Sequence, residues 1–432
     1  MKDIFLIKGQ QGKRNLKGTL SVYGAKNAAL PAFASAVLFR DGVIFDNVPT
    51  IQDIEHSAKI INNLGGETEK IRPHVWRINA SPMSKIALDV ELAKHMRASI
   101  VFTGAMLARY GEVVFPHPGG CVLGERPVDL FLSAFEKMGA DVNLDGEIYR
   151  LKTRGKKLHG AEIFLRVPSH TATETIMMAA LLSDGMTIIK NAAMEPEIKN
   201  VADFLVACGA KIYGAGTHTI TVEGGQLLTA GKKIFHTIPD RIEAGSFLIL
   251  AAIAAENLTI TDCDPSHLES LTHFLERSKV PIQIGKDFIK VTTPRNSKTS
   301  NFRSINIKTH EYPGFPTDLQ APMAVFLTQV TGESNVFETI FDGRLNYAAD
   351  LIKMGAKISV WNTHMMTVKG PALLKGQELE GPDIRAGLAY ILAAIVANGR
   401  SVINNVHYID RGYERIEERL RAVGVDIERV SN

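Results

Sequence analysis

The chain has 432 residues, 45% hydrophobic and 22% charged, with 49 Lys plus Arg against 46 Asp plus Glu. That length exceeds one core and points to two or three domains, while the composition excludes a mostly disordered chain and the balanced charge excludes polyanion binding driven by gross charge. The longest apolar run, 247–255, is too short to span a bilayer and the polar start MKDIFLIKGQQGKR has no signal core, so a cytoplasmic protein with three reduced cysteines is expected.

In chain order, the first segment apolar on nearly every side is 28–38, a predicted buried helix, followed by a turn at Gly42 and a later stop at Leu64-Gly65-Gly66. A second apolar helix is predicted at 98–108, then Gly111, a Pro- and Gly-rich loop over 113–129, and an amphipathic helix at 129–138 closing on Met138-Gly139-Ala140-Asp141-Val142. The third set is an apolar helix at 176–182, Gly185, a strand at 186–189, an amphipathic helix at 198–208 closing on Cys208-Gly209-Ala210-Lys211-Ile212, and a hairpin over 211–222. The fourth has a helix at 244–255, a turn at Asn257 and a degenerate stop, Ser278-Lys279-Val280, with Lys279 where the others place glycine. The fifth and sixth have helices at 321–330 and 386–397, turns at Gly332 and Gly399, and stops at Met354-Gly355-Ala356-Lys357-Ile358 and Val423-Gly424-Val425-Asp426-Ile427. Two unrelated markers thus recur together about every 70 residues, which defines six copies of one helix-and-strand unit. The fold expected is α/β, with two domains of three units, each wrapping sheets around three buried helices.

The buried helices carry charge at their starts: Lys26-Asn27, Arg97, Asp240-Arg241-Glu243, Thr317-Asp318 and Asp383-Arg385, with Ser169-His170-Thr171 opening the third. Helix N-termini present free N–H groups and partial positive charge, so parallel ends with added cations suit a phosphate or carboxylate. Plain capping is the alternative for Asp240, Thr317, Asp318 and Asp383, but Lys26, Arg97 and Arg385 oppose the helix dipole. Cys121 lies in the 113–129 loop five residues from Arg126, a setting for a proton donor or nucleophile, the alternative being a small apolar filler. Cys208 and Cys263 read as fillers. In Asp410-Arg411-Gly412-Tyr413-Glu414-Arg415, Arg411 could reach an anion, whereas Arg415, Glu417 and Glu418 read as a solvated helix face. The standard nucleotide-loop and metal-site signatures do not occur, so neither metal nor cofactor is expected.

Several phrases together carry a resemblance: Gly24-Ala25-Lys26-Asn27-Ala28-Ala29, Met96-Arg97-Ala98-Ser99, Pro118-Gly119-Gly120-Cys121, and Gly124 with Arg126-Pro127-Val128-Asp129-Leu130. It continues in Pro239-Asp240-Arg241-Ile242-Glu243, Phe315-Pro316-Thr317-Asp318, Asp383-Ile384-Arg385-Ala386 and His407 to Glu417. Along essentially its whole length the chain resembles the UDP-N-acetylglucosamine 1-carboxyvinyltransferases, a family of enolpyruvyl transferases. The resemblance implies a two-domain inside-out α/β barrel, with 26–238 as one domain carrying the Cys121 loop and 1–25 plus 239–432 as the other. It implies phosphoenolpyruvate and UDP-N-acetylglucosamine as substrates, in the step that commits the sugar nucleotide to peptidoglycan, with no nucleic acid or membrane partner. Cys121 would then be the general acid and Asp318 the base near the acceptor hydroxyl. Lys26, Arg126 and Arg411 would hold phosphate and carboxylate, with Arg385 close by. Asn27, Arg97, Arg126, Pro127, Val128, Asp129, Leu130 and Ile340 would contact the sugar nucleotide. Ser169, His170, Thr171, Arg344 and Asp383 complete the implied substrate-binding set. Domain closure, with the Cys121 loop as lid, would exclude water.

The chain also departs from the family pattern. Ser169-His170-Thr171-Ala172-Thr173 stands where Ser-Val-Gly-Ala-Thr is usual, Arg166 replaces a common acidic residue, and Phe131 a usual histidine. Two other readings therefore stay open: enolpyruvyl transfer to a different nucleotide or nucleotide sugar, and a catalytically silent regulatory paralogue. The Pro-Gly-Gly-Cys phrase argues against the shikimate-pathway relative.

Overall fold

Segments without a polar side can form helices only where every side meets protein, and that is where the chain places them. The structure, a computed structural model, describes residues 3–117, 128–294 and 297–431, apart from the side chains of His95 and Arg97. They form two compact units, one from the described residues of 24–238 and one from those of 3–23 and 239–431. Each has its own apolar core, and the two cores share no residue.

In 24–238 the core helices are α1 (Lys26–Ser35), α2 (Phe102–Tyr110) and α3 (His170–Ala180). α2 packs on both others. Its approach to α3 is close enough that a Cβ at Gly104 would lie 2.0 Å from the Thr175 carbonyl oxygen. In the other unit α4 (Arg241–Ala254), α5 (Gln320–Gln329) and α6 (Ile384–Val396) pack on one another in all three pairings.

Among the described residues six separate sheets accompany these helices, three in each unit. Five share one plan: a strand pairs in parallel with a central strand, which pairs antiparallel with a third, and in four of the five that third strand is the second arm of a hairpin whose first arm forms the far edge. The sixth joins Glu112–Pro116, Ile148–Thr153 and Ala140–Asp145, and a parallel bridge from Ala87 to Val114 stands in for the missing strand. The α/β character and the sixfold unit are therefore the same fact seen twice. The N-terminal strands explain why one unit is discontinuous. Asp3–Lys8 lies between Arg400–Asn404 and Asp426–Ser431, and Leu16–Ser21 pairs with Ala255–Thr261.

The glycine stops sit at positive φ, as at Gly139 and Gly355, and Lys279 takes the same turn at +69° despite its side chain. The helix whose apolar stretch is predicted at 176–182 extends back to His170, within the opening expected at Ser169-His170-Thr171, and Thr173, Glu174 and Thr175 are buried polar residues that break the apolar pattern between. Two expectations need correcting. Residues 113–116 are strand rather than loop, since Phe115 and Val113 turn inward against the Ile148–Thr153 strand. Glu417 is not on a solvated face: it is 8% exposed and accepts from Arg429 Nε at 2.6 Å. Among the described residues no helix is long and apolar enough to cross a membrane.

Candidate active site

The starts of α4, α5 and α6 show which charges cap helices and which do something else. Asp240 caps α4, accepting from the backbone N–H groups of Ile242 at 2.8 Å and Glu243 at 3.0 Å. Asp383 does the same for α6, accepting from Arg385 and Ala386 at 2.7 and 3.1 Å. Asp318 answers arginines. It lies in the 3-10 turn Thr317–Leu319 that leads into α5, and its carboxylate is taken by two guanidinium groups. Arg344 Nη2 donates to Oδ1 at 2.8 Å, and Arg385 donates to Oδ2 from Nε and Nη2, each at 3.0 Å.

Those two arginine side chains are only 4% and 9% exposed, whereas Asp318 is 25% exposed. Buried cations thus hold a carboxylate whose position is fixed and whose face meets solvent. Arg385 also donates to the buried Tyr413 hydroxyl at 2.9 Å, with its guanidinium 5.5 Å from the Tyr413 ring. Burial by itself would weaken the Arg385 charge, but Tyr413, Asp318 and Asp240 outweigh it and hold the guanidinium protonated. The Arg385–Asp318 pair brings the start of α6 against the turn that leads into α5. Asp383, Asp318, Arg344 and Arg385 come together there. Arg411 is partly exposed and follows Asp410, whose carboxylate Arg429 grips at 2.6 and 2.9 Å. Ile340 is partly exposed, with its N–H on Glu338 at 2.8 Å.

In 24–238, Lys26 opens α1 and its Nζ lies 2.6 Å from Asp53 Oδ2, the two side chains being 12% and 2% exposed. The lysine that opposes the helix dipole is therefore offset by a buried carboxylate from the Gln52–Asn63 helix. Asn27 is partly exposed. Ser169 caps α3, accepting from Ala172 N at 3.2 Å. His170 Nδ1 lies 3.3 Å from the Glu174 carboxylate. Burial disfavours its imidazolium, but Glu174, Glu195 and Glu197 reverse that and push its pKa up. Thr171 is partly exposed. Val128 and Leu130 point into the core at 7% and 8% exposure, leaving Asp129 as the exposed side chain of that stretch, paired with Arg166. Cys121, Arg126 and Pro127 lie outside the described residues, as does the Arg97 side chain.

Sequence reasoning missed four residues that hold these groups: Asp53, Glu338, Tyr413 and Arg429. Only Glu338 carried a signal. Ser334 and Val336 turn inward along the Gly332–Phe337 strand, and alternation puts the Glu338 carboxylate on the same buried phase.

Residues 10–420 match the family model described as EPSP synthase (3-phosphoshikimate 1-carboxyvinyltransferase), and the chain belongs to this family of carboxyvinyltransferases. Within it the chain is similar over its length to UDP-N-acetylglucosamine 1-carboxyvinyltransferases. It is 41% identical to enzyme 1 of that name from Caldanaerobacter subterraneus subsp. tengcongensis, across 96% of this chain and 97% of the relative. The one from Klebsiella pneumoniae (strain 342) is 39% identical across 97% and 98%. Among solved structures, the enolpyruvyl transferase NikO from Streptomyces tendae superposes with a TM-score of 0.87 at 22% identity, covering 100% of this chain and 99% of its own. EPSP synthase from Acinetobacter baumannii gives 0.73 at 15% identity, covering 100% of both. At those identities the two structures speak to the fold, the α/β arrangement found here.

Proposed function

We propose that the protein transfers the enolpyruvyl group of phosphoenolpyruvate to the 3′-hydroxyl of UDP-N-acetylglucosamine and releases phosphate, the first committed reaction of peptidoglycan synthesis. The observation that carries this reading is the Asp318 carboxylate, fixed by Arg344 and Arg385 and open to solvent, in a chain about 40% identical throughout to relatives of that name. The reaction needs an acid to protonate the methylene carbon, an acceptor for the hydroxyl proton, and cations for the departing phosphate. Cys121 gives its proton to the methylene, the acceptor oxygen adds to the adjacent carbon, and Asp318 takes the hydroxyl proton. The bond to phosphate then breaks, and the Cys121 thiolate takes a proton back from the former methylene, restoring the double bond and the thiol.

Lys26, Arg126 and Arg411 hold the phosphate and carboxylate of phosphoenolpyruvate, with Arg385 beside them. Asn27, Arg97, Asp129, Ser169, Thr171, Ile340 and Arg344 contact the sugar nucleotide. Nucleotide and phosphoenolpyruvate substrates agree with a cytoplasmic protein that needs neither membrane nor nucleic acid. The His170–Glu174 pair at the start of α3 supports a second reading, in which the same chemistry acts on a different nucleotide sugar.

Phosphate release from phosphoenolpyruvate, measured across a panel of nucleotide sugars, tests both. Release with UDP-N-acetylglucosamine supports the first reading and release only with another acceptor supports the second. Release with none sinks both. The Cys121→Ser variant should lose turnover by about a hundredfold or more, the scale of a lost general acid, with acceptor affinity by isothermal titration nearly unchanged. Equal loss of affinity would remove Cys121 from proton transfer.

A further inference from the structure

We propose that Glu338 is a positioning residue, whose buried carboxylate locks the Thr317–Asp318 segment and the 340–344 turn into one geometry. This rests on the reading above in taking Asp318, Ile340 and Arg344 as groups that meet the acceptor.

Glu338 is fully buried although its side chain is an acid. It follows the Gly332–Phe337 strand, and its backbone is held there: its N–H donates to the His364 carbonyl at 2.7 Å, and its own carbonyl meets His364 Nδ1 at 2.9 Å. The side chain turns inward to three donors. Oε1 accepts from the N–H groups of Ile340 at 2.8 Å and Phe341 at 3.2 Å, and Oε2 accepts from the Thr317 hydroxyl at 2.9 Å. From Phe341 the path continues through its ring, 5.5 Å from the Arg344 guanidinium, and from Arg344 to Asp318 at 2.8 Å. Asp318 adjoins Thr317, which returns the path to Glu338. Two chain segments far apart in sequence are thus closed into a ring of contacts around one carboxylate. Charge-assisted hydrogen bonds are about twice as strong as neutral ones, so this group is well suited to rigidify the turn. Without it two backbone N–H groups lose their acceptor, the turn relaxes, and Arg344 no longer aims Asp318.

The test uses Glu338→Ala, Glu338→Gln and Thr317→Val in the full chain. The alanine variant should raise the acceptor KM about tenfold or more while leaving the phosphoenolpyruvate KM within about twofold, since small misplacements of aligned groups cost that much. The glutamine variant keeps an oxygen for the two N–H groups and an amide that donates to Thr317, and it should stay within about threefold of wild type. A loss of folded protein alone would lower turnover without this split. If Glu338→Ala does not fold, Thr317→Val decides: a raised acceptor KM supports the proposal, and unchanged constants overturn it. Amide exchange adds a readout independent of turnover. Residues 339–344 should exchange faster in Glu338→Ala and not in Glu338→Gln, with the α6 amides unchanged. Wild-type acceptor KM and wild-type exchange in Glu338→Ala overturn the proposal. A wild-type protein that releases no phosphate sinks the functional reading instead, and the exchange result then stands by itself.

Discussion

Lys26 and Arg385 sit where a helix start disfavours a cation, and each is offset by a carboxylate that the sequence places far away, Asp53 for one and Asp318 for the other. The sequence could show that the charges were anomalous but not which acids answered them. Cysteine gives the residue-scale prediction. Cys208 is 8% exposed and Cys263 4%, and burial pushes each thiol from 9.0 up to about 11. Above pH 9.0 the unfolded thiols lose protons that the folded ones keep, so the unfolded state binds fewer protons and stability falls as pH rises toward about 11. Urea unfolding of a Cys208→Ala/Cys263→Ala variant should therefore show a smaller loss between neutral and alkaline pH than wild type does. An equal loss in both proteins would refute the assignment. Native protein at neutral pH should also keep these two thiols unreactive to maleimide.

Elements need their ends satisfied as well as their faces buried. The apolar side chains of α4 were plain in the sequence, but its last carbonyls are answered by Arg14, more than two hundred residues away. Arg14 donates to the carbonyls of Ala251, Ala252 and Ala255 and to the hydroxyls of Thr293 and Thr299. The guanidinium is buried with a pKa lowered to about 10 by desolvation, and it lies 5.0 Å from the Phe302 ring. A cation at a helix C-terminus suits the dipole. Arg14→Met keeps the stem and strips the donors, which should cost about 3 kcal/mol in unsatisfied carbonyls. That corresponds to a Tm lower by about 10 °C for a unit of this size. A methionine variant as stable as wild type would show that packing alone closes this end. The start of α3 was legible at Ser169-His170-Thr171, although the buried Thr173 and Thr175 interrupt its apolar pattern.

For the whole molecule, two cores that share no residue predict that damage to one stays there. Leu250 is fully buried in α4, and Leu250→Ala should cost about 2–5 kcal/mol through lost contacts and a residual cavity. Hydrogen exchange should accelerate in the slow amides of α4, α5 and α6 and stay at wild-type rates in α2 and α3. Matching acceleration in α3 would mean that the two cores unfold as one cooperative body.

The order of residues already carries the architecture of the unit: helices apolar on all sides, a left-handed stop about every 70 residues, and the alternation of the hairpin strands. These are local rules, a period and a backbone sign, and they survive even where Lys279 replaces glycine. It also marked Asp318, Arg385 and Lys26 as charges in unusual places. It took the folded chain to show that Asp240 and Asp383 cap helices while Asp318 is held between Arg344 and Arg385, and that Glu338 closes the ring behind it. The reason is range. A cap is settled within three residues of chain, whereas a buried ion pair or a carboxylate with three donors depends on which distant segments folding brings within 3 Å, and no spacing along the chain encodes that.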